Sequence, residues 1–161
     1  IGHTACGGSG SNISVLIQSQ SESPTKTVVK ARDFDLVVDE PADLGGENQG
    51  PTPVEYLLAG FTGCLNVVGH LVAKDLGFDL HSIQFEATGP IDPAKLFGHE
   101  TEERPGFKNI DIQLSVDADT DESTLQEWLK RVEARCPISD NISNFTPVTL
   151  NLQTAKQSVA A

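Results

Sequence analysis

Two cysteines carry whatever covalent chemistry this chain can do. Cys64 closes the stretch GGENQGPTPVEYLLAGFTGC, and Cys136 stands in the stretch RCPISDNI. A thiol acts through its thiolate, so its surroundings decide whether it is a nucleophile or a small buried hydrophobe. Cys136 precedes Pro137, at a point where one helix ends and another can start. That places it at a helix N-terminus, where unpaired N–H groups and the helix dipole favour an anion. Arg131 and Arg135 stand close by in sequence. Cys64 has the opposite setting: it shares an apolar helical stripe with Leu57, Phe61, Val68 and Leu71, where desolvation raises a thiol pKa. From local sequence, Cys136 is the more reactive thiol. Cys64 becomes a nucleophile only if a cation reaches it, and Arg32, Arg104, Lys26 and Lys30 all remain candidates.

Other constellations give less. Glu55 lies on the Cys64 helix, but nine residues amount to about 13.5 Å of rise and about 900° of rotation, hence opposite faces. Its spacing from Thr52 also makes a T-x-x-E capping box, an equally good account of it. His70 sits about 120° round the helix from Cys64, a poor place for a Cys–His dyad. His99 and Glu100 open HETEER rather than a zinc-protease HExxH, and there is no CxxC, GxGxxG or P-loop. No metal and no cofactor is expected.

The elements that position these residues follow from periodicity. Residues 13–17 (ISVLI), 27–31 and 34–38 read as strands of an N-terminal antiparallel meander, and 39–51 as a loop rich in turn residues. Thr52, Pro53 and Glu55 start a helix that runs to about Leu76 and ends at Gly77. Gly60 and Gly63 are poor helix residues, and their place beside the thiol predicts close approach of another backbone or a ligand. Residues 81–88 and 109–117 alternate as half-buried strands, separated by a long irregular connection at 90–107. A second amphipathic helix is expected at 121–135, and Val148, Leu150 and Leu152 alternate as a last strand. The fold class is α+β: antiparallel sheets around a central cysteine-bearing helix, in one domain with mobile ends.

Bulk composition narrows the function. The 161 residues carry a formal charge of −12, with 23 acidic against 11 basic side chains. That balance argues against nucleic acid or an anionic membrane as partner. No run of 18 consecutive apolar residues predicts a membrane span. Three scattered cysteines are too few for a secreted disulfide framework, which makes the cytoplasm the expected compartment. Cys6, in a Gly-rich end, reads as incidental.

Taken together, residues 39–64 and 136–142 resemble the OsmC/Ohr family of thiol-dependent peroxidases. The matching pattern is DEP, then GG-E-N-x-G-P-x-P-x-E-x-L-L-A-G-x-x-x-C, then C-P-I-S-x-N-I, and the likeness extends over roughly 26–152. The resemblance implies an intertwined homodimer with active sites at the subunit interface. It implies that Cys64 attacks an organic hydroperoxide, that Cys136 resolves the product as a disulfide, and that a dithiol reductant restores the pair. This reverses the ranking from local sequence. In the Ohr branch the catalytic carboxylate lies ten residues before the cysteine, where this chain has Val54; Glu55 follows one step later, as in the broader OsmC-like branch. The Ohr arginine is expected near 22–26, where only Lys26 stands, and Arg32 is the nearest arginine in sequence. A second function is compatible with the same fold: a small-ligand binder whose thiols are passive.

Overall fold

The computed structural model describes residues 11–155, which form two compact units divided between Leu57 and Leu58. Cys6, the remainder of the first ten residues, and the tail beyond 155 lie outside the described residues.

The first unit holds a three-stranded antiparallel meander: β1 (Gln18–Ser21), β2 (Thr27–Ala31) and β3 (Phe34–Val38), in that order across the sheet. The predicted strand at 13–17 is not formed. Gln18 pairs with Lys30, so continuing the register would set Ile17 against Ala31 and Leu16 against the turn that begins at Arg32. The apolar run outlasts its partner strand and stays exposed, with Val15 at 87%. The register of β2 and β3 places Ala31 opposite Phe34, leaving Arg32 and Asp33 as a two-residue turn.

Asp39 organises the loop that follows. Its carboxylate is fully buried and accepts the N–H groups of Glu40 at 2.8 Å, Gln49 at 3.1 Å and Glu47 at 3.3 Å. The loop is wound so tightly that a Cβ on Gly46 would lie 1.9 Å from the Glu40 carbonyl oxygen, and one on Gly50 would lie 2.2 Å from that of Val37. These two glycines are required by backbone approach. The loop delivers the chain to Thr52, and the Tyr56 hydroxyl ties the start of the next helix to β3 by donating to Val37 O at 2.7 Å.

Helix α1 (Pro53–Leu76) begins and ends as its sequence predicts. Gly77 takes φ +77°, and the Gly77 and Phe78 N–H groups reach back to Lys74 O and Ala73 O, a Schellman closure. By length and mean hydropathy (1.5) α1 could cross a membrane, although no unbroken apolar run announces it. Its inner face is instead the core of the second unit. Leu65, Val68, Val72 and Ala73 pack with Trp128, Val132 and Cys136.

The second unit adds the antiparallel pair β4 (Asp79–Thr88) and β5 (Asp111–Asp119), then α2 (Glu122–Arg135) and the short α3 (Pro137–Ser143). The alternation read in the sequence holds: Ile83, Phe85, Ile112, Leu114 and Val116 face the core. Asp121 caps α2 by accepting the Thr124 N–H at 2.8 Å. Residues 148–152 form no strand; Val148, Leu150 and Leu152 are 80–93% exposed. Alternation alone does not make a strand without a neighbour to pair with.

Candidate functional site: a cysteine pair at a helix junction

Cys136 is the last cap of α2 and the first cap of α3 at once. Pro137 stands at the first helical position of α3, where its missing N–H costs nothing and its ring prevents α2 from continuing. The break turns the Cys136 side chain inward, where it is 1% exposed. Its sulfur accepts the Ser139 N–H at 3.4 Å.

That sulfur lies 3.2 Å from Cys64 Sγ, with the Cys136 thiol as donor. Both cysteines are free thiols. A disulfide bond is about 2.05 Å long, so the pair is about 1 Å short of bonding. Local sequence gave no reason for these two residues to meet; the packing of α2 on α1 brings them together.

The two thiols differ in access. Cys136 is buried, whereas Cys64 is half-buried at the edge of the core face of α1. The stripe expected to carry Cys64 is only partly inside: Val68 is buried, but Leu57 and Leu71 are 46% and 49% exposed. Burial pushes the Cys64 thiol above its ordinary value of 9.0; the Ile138 N–H opposes this, and the neighbouring Cys136 adds to the rise. Among the described residues of the second unit, no cation takes part in that shift.

Glu55 completes the capping box. Its carboxylate accepts the Thr52 N–H at 2.8 Å, and its own N–H reaches Thr52 Oγ1 at 3.2 Å. The Thr52 bonds hold its carboxyl below the ordinary range. Arg32 occupies the first position of the β2–β3 turn with φ +56°, and its guanidinium lies 5.1 Å from the Phe34 ring centre. Of the other cations weighed, Lys26 pairs with Glu22 at 3.1 Å and Lys30 with Asp35 at 3.8 Å. Among the described residues no cluster of His, Cys, Asp and Glu could hold a metal ion.

Within the chain itself, the glycines beside the thiol are not the crowded ones. A Cβ on Gly60 or Gly63 would meet nothing within 4 Å. The close approach occurs at Gly69, where a Cβ would lie 3.0 Å from the Trp128 ring and 3.1 Å from Ile83 Cδ1. Sequence reasoning passed over Gly69 and the Ile138 and Ser139 amides. The signal for Gly69 was the single tryptophan, whose buried N–H needs an acceptor.

A cavity of about 270 Å³ opens between α1, β5, α2 and the first turn of α3, and neither cysteine lines it. Phe61, Leu65, Ile112 and Leu129 line it, with Glu133 and Ser139 as its polar groups.

A family model described as OsmC-like protein matches residues 46–151. No curated protein matches the sequence. Among solved structures, an OsmC-like protein from Mycoplasma pneumoniae superposes with a TM-score of 0.71 at 17% identity, covering 83% of this chain and 89% of that one. An organic hydroperoxide resistance protein OsmC from Legionella pneumophila gives 0.59 at 18%, covering 83% and 91%. The organic hydroperoxide resistance protein OhrB of Bacillus subtilis gives 0.53 at 21%, covering 80% and 89%. At these identities the likeness is one of fold, and the fold is the α+β OsmC-like fold. The match over residues 46–151 of 161 carries more: the chain belongs to the OsmC-like protein family.

Proposed function

We propose that this protein is a thiol-dependent peroxidase that reduces organic hydroperoxides to alcohols. The carrying observation is the 3.2 Å separation of Cys64 Sγ and Cys136 Sγ between two free thiols. The Cys64 thiolate attacks the outer oxygen of ROOH; the O–O bond breaks, RO⁻ leaves and takes up a proton, and Cys64 becomes a sulfenic acid. The Cys136 sulfur then displaces water from that sulfenic acid and forms the disulfide. A dithiol reductant returns both thiols and leaves as its own disulfide. The sum converts ROOH and a dithiol to ROH, water and an oxidised dithiol. A reducing compartment such as the cytoplasm supplies that reductant.

Access supports this division of roles. The half-buried Cys64 is the thiol a substrate can reach, and the buried Cys136 is the one held in reserve. Cys64 needs a cation, and we assign that part to Arg32, the arginine nearest in sequence to the loop before α1, with Arg104 as the alternative. Glu55 acts as a helix cap, with any effect on the thiol passing through another group.

We further propose that the protein works as a homodimer. Apolar side chains stand exposed on α1 (Leu57, Val67, Leu71) and on the C-terminal segment (Val148, Leu150, Leu152), and a partner subunit would cover them. The two unpaired apolar runs, 13–17 and 148–152, are strands in want of a neighbour, as an intertwined pair of subunits would provide.

A second reading draws on the upward shift of the Cys64 thiol and the cavity of the second unit: a small-ligand binder with idle thiols. One experiment separates the two. After one equivalent of cumene hydroperoxide, intact mass should fall by two hydrogens with a Cys64–Cys136 crosslink, and Cys64→Ser should abolish dithiol consumption. Equal rates in wild type and Cys64→Ser would end the peroxidase reading.

A further inference from the structure

The two sulfurs stand at a separation that suits one kind of bridging centre and not others. Cys64 Sγ and Cys136 Sγ are 3.2 Å apart, and both are free thiols. A centre bonded to each sulfur at about 2.3 Å, the length of a zinc–thiolate bond, would join the pair at an angle of about 90°. Bonds of that length need sulfurs about 3.8 Å apart at a tetrahedral centre and about 4.6 Å apart at a linear one. Cys136 has little room to retreat: it is 1% exposed and packs in the core with Trp128 and Val132. A pyramidal trivalent centre fits without such movement, because its lone pair leaves its three bonds nearly at right angles. Trivalent arsenic is such a centre. Its bonds to sulfur are about as long as those of zinc, and it shares the soft ion's preference for sulfur over oxygen.

The number of ligands points the same way. Among the described residues no third His, Cys, Asp or Glu joins the two thiols in a group that could hold a metal ion. A structural zinc site needs four ligands. An arsonous acid with one organic substituent brings its third bond with it and has two hydroxyl groups to exchange for sulfur. Access is from the Cys64 side, since Cys64 is half-buried. Side chains on a helix lean over the turn before them. For Cys64 that turn carries Gly60, where a Cβ would meet nothing within 4 Å. The organic substituent has open space there.

We infer that the reduced Cys64–Cys136 pair is a chelating site for trivalent arsenicals that carry one organic substituent. The two thiols displace both hydroxyl groups: two As–O bonds break, two As–S bonds form, and each thiol hydrogen leaves in a water molecule. Arsenic stays trivalent, and nothing is oxidised or reduced. Capture is independent of the peroxidase reading. Its consequence rests on that reading, since a bridged pair can neither attack a hydroperoxide nor close its disulfide.

The test uses the full chain with Cys6→Ala, which leaves the pair as its only thiols. The protein is reduced, freed of reductant under argon and mixed with one equivalent of phenylarsine oxide, with no hydroperoxide present. Intact mass should rise by one phenylarsenic group less two hydrogens, and both thiols should be lost to alkylation. Excess glutathione, a monothiol, should leave the adduct in place, whereas dimercaptopropanol, a dithiol, should remove it. Cys64→Ala and Cys136→Ala each keep one sulfur. Their affinity for the arsenical should fall by at least about a hundredfold, the effect of losing a second, linked bond.

An adduct on the intact pair that glutathione removes as readily as dimercaptopropanol would overturn the inference. So would an adduct that leaves one thiol open to alkylation, or the absence of any adduct. The two displacing thiols are compared on the intact pair, so the result stands even where a single-cysteine variant fails to fold. Hydroperoxide turnover is measured separately. A chain that holds the arsenical against glutathione but reduces no hydroperoxide keeps the chelate and loses the peroxidase reading. A working peroxidase whose adduct glutathione removes does the reverse.

Discussion

Trp128 lies on Gly69, and its indole Nε1 donates to the Gly69 carbonyl oxygen at 2.7 Å. This contact fixes how α2 crosses α1, and therefore where the end of α2 delivers Cys136. The indole is 2% exposed, so it has no room to withdraw from a side chain added at position 69. Gly69→Val should therefore destabilise the protein by about 2–3 kcal/mol, overpacking outweighing the gain in helix propensity. Urea denaturation measures this. The same variant should slow formation of the Cys64–Cys136 disulfide under mild oxidant, because the two sulfurs lose their register.

Acid should unfold the loop before α1 through Asp39. The Thr25 hydroxyl and the N–H groups of Glu40, Gln49 and Glu47 hold its carboxyl below its ordinary value of 3.8, against the opposing effect of burial. A carboxyl lowered on folding contributes stability that is fully present above its unfolded value. That contribution is lost as pH falls through the folded value, below 3.8. Asp39→Asn should lower stability at neutral pH and flatten the acid limb, as measured by denaturation midpoints at a series of pH values. A variant with an unchanged acid limb would assign acid sensitivity to another group.

What the sequence made legible was local. The Thr52–Pro53–Glu55 start of α1, its Gly77 end and the Cys136–Pro137 break each rest on signals within a few residues. The meander β2–β3 was equally plain. Strands whose existence depends on a neighbour were not: residues 13–17 and 148–152 have strand composition, but β2 ends too early for the first, and among the described residues nothing pairs with the second. The glycines of α1 show the same limit. Gly60, Gly63 and Gly69 look alike in a sequence, and only packing shows that position 69 is the crowded one. Family resemblance supplied the pairing of Cys64 with Cys136; local chemistry ranked them in the opposite order.

Apart from any cation that reaches it, the Cys64 thiol should titrate above 9.0, because burial raises it and the Cys136 neighbour adds to the rise. Alkylation of Cys64 by iodoacetamide should then be slow at neutral pH and accelerate as pH passes that value. Cys136→Ala removes the upward push of the second thiol and keeps the burial. Its Cys64 should titrate lower than in wild type, yet still above the ordinary value. A wild-type titration below 9.0 would show that a cation already reaches the sulfur, and would make Cys64 the low-pKa thiol without further help.

Arg32 allows the structural and the catalytic contributions of one residue to be separated. It is the first of two residues between Ala31 and Phe34, with φ +56°, a left-handed conformation that costs a non-glycine residue about 1–2 kcal/mol. In a two-residue hairpin with positive φ at its first position alone, glycine is the preferred occupant. Arg32→Gly therefore relieves strain while removing the guanidinium, and loses little besides its contact with the Phe34 ring. Glycine's greater freedom in the unfolded chain offsets part of the gain. The variant should be as stable as wild type or up to about 1 kcal/mol more stable. Its rate of Cys64 oxidation by cumene hydroperoxide should fall by at least about tenfold if the guanidinium activates the thiol. Arg32→Lys, which keeps a positive charge in the strained turn, should show the reverse: unchanged stability and a partly retained rate. Equal oxidation rates in wild type and Arg32→Gly would remove Arg32 from the reaction and leave it as a turn residue that the fold tolerates.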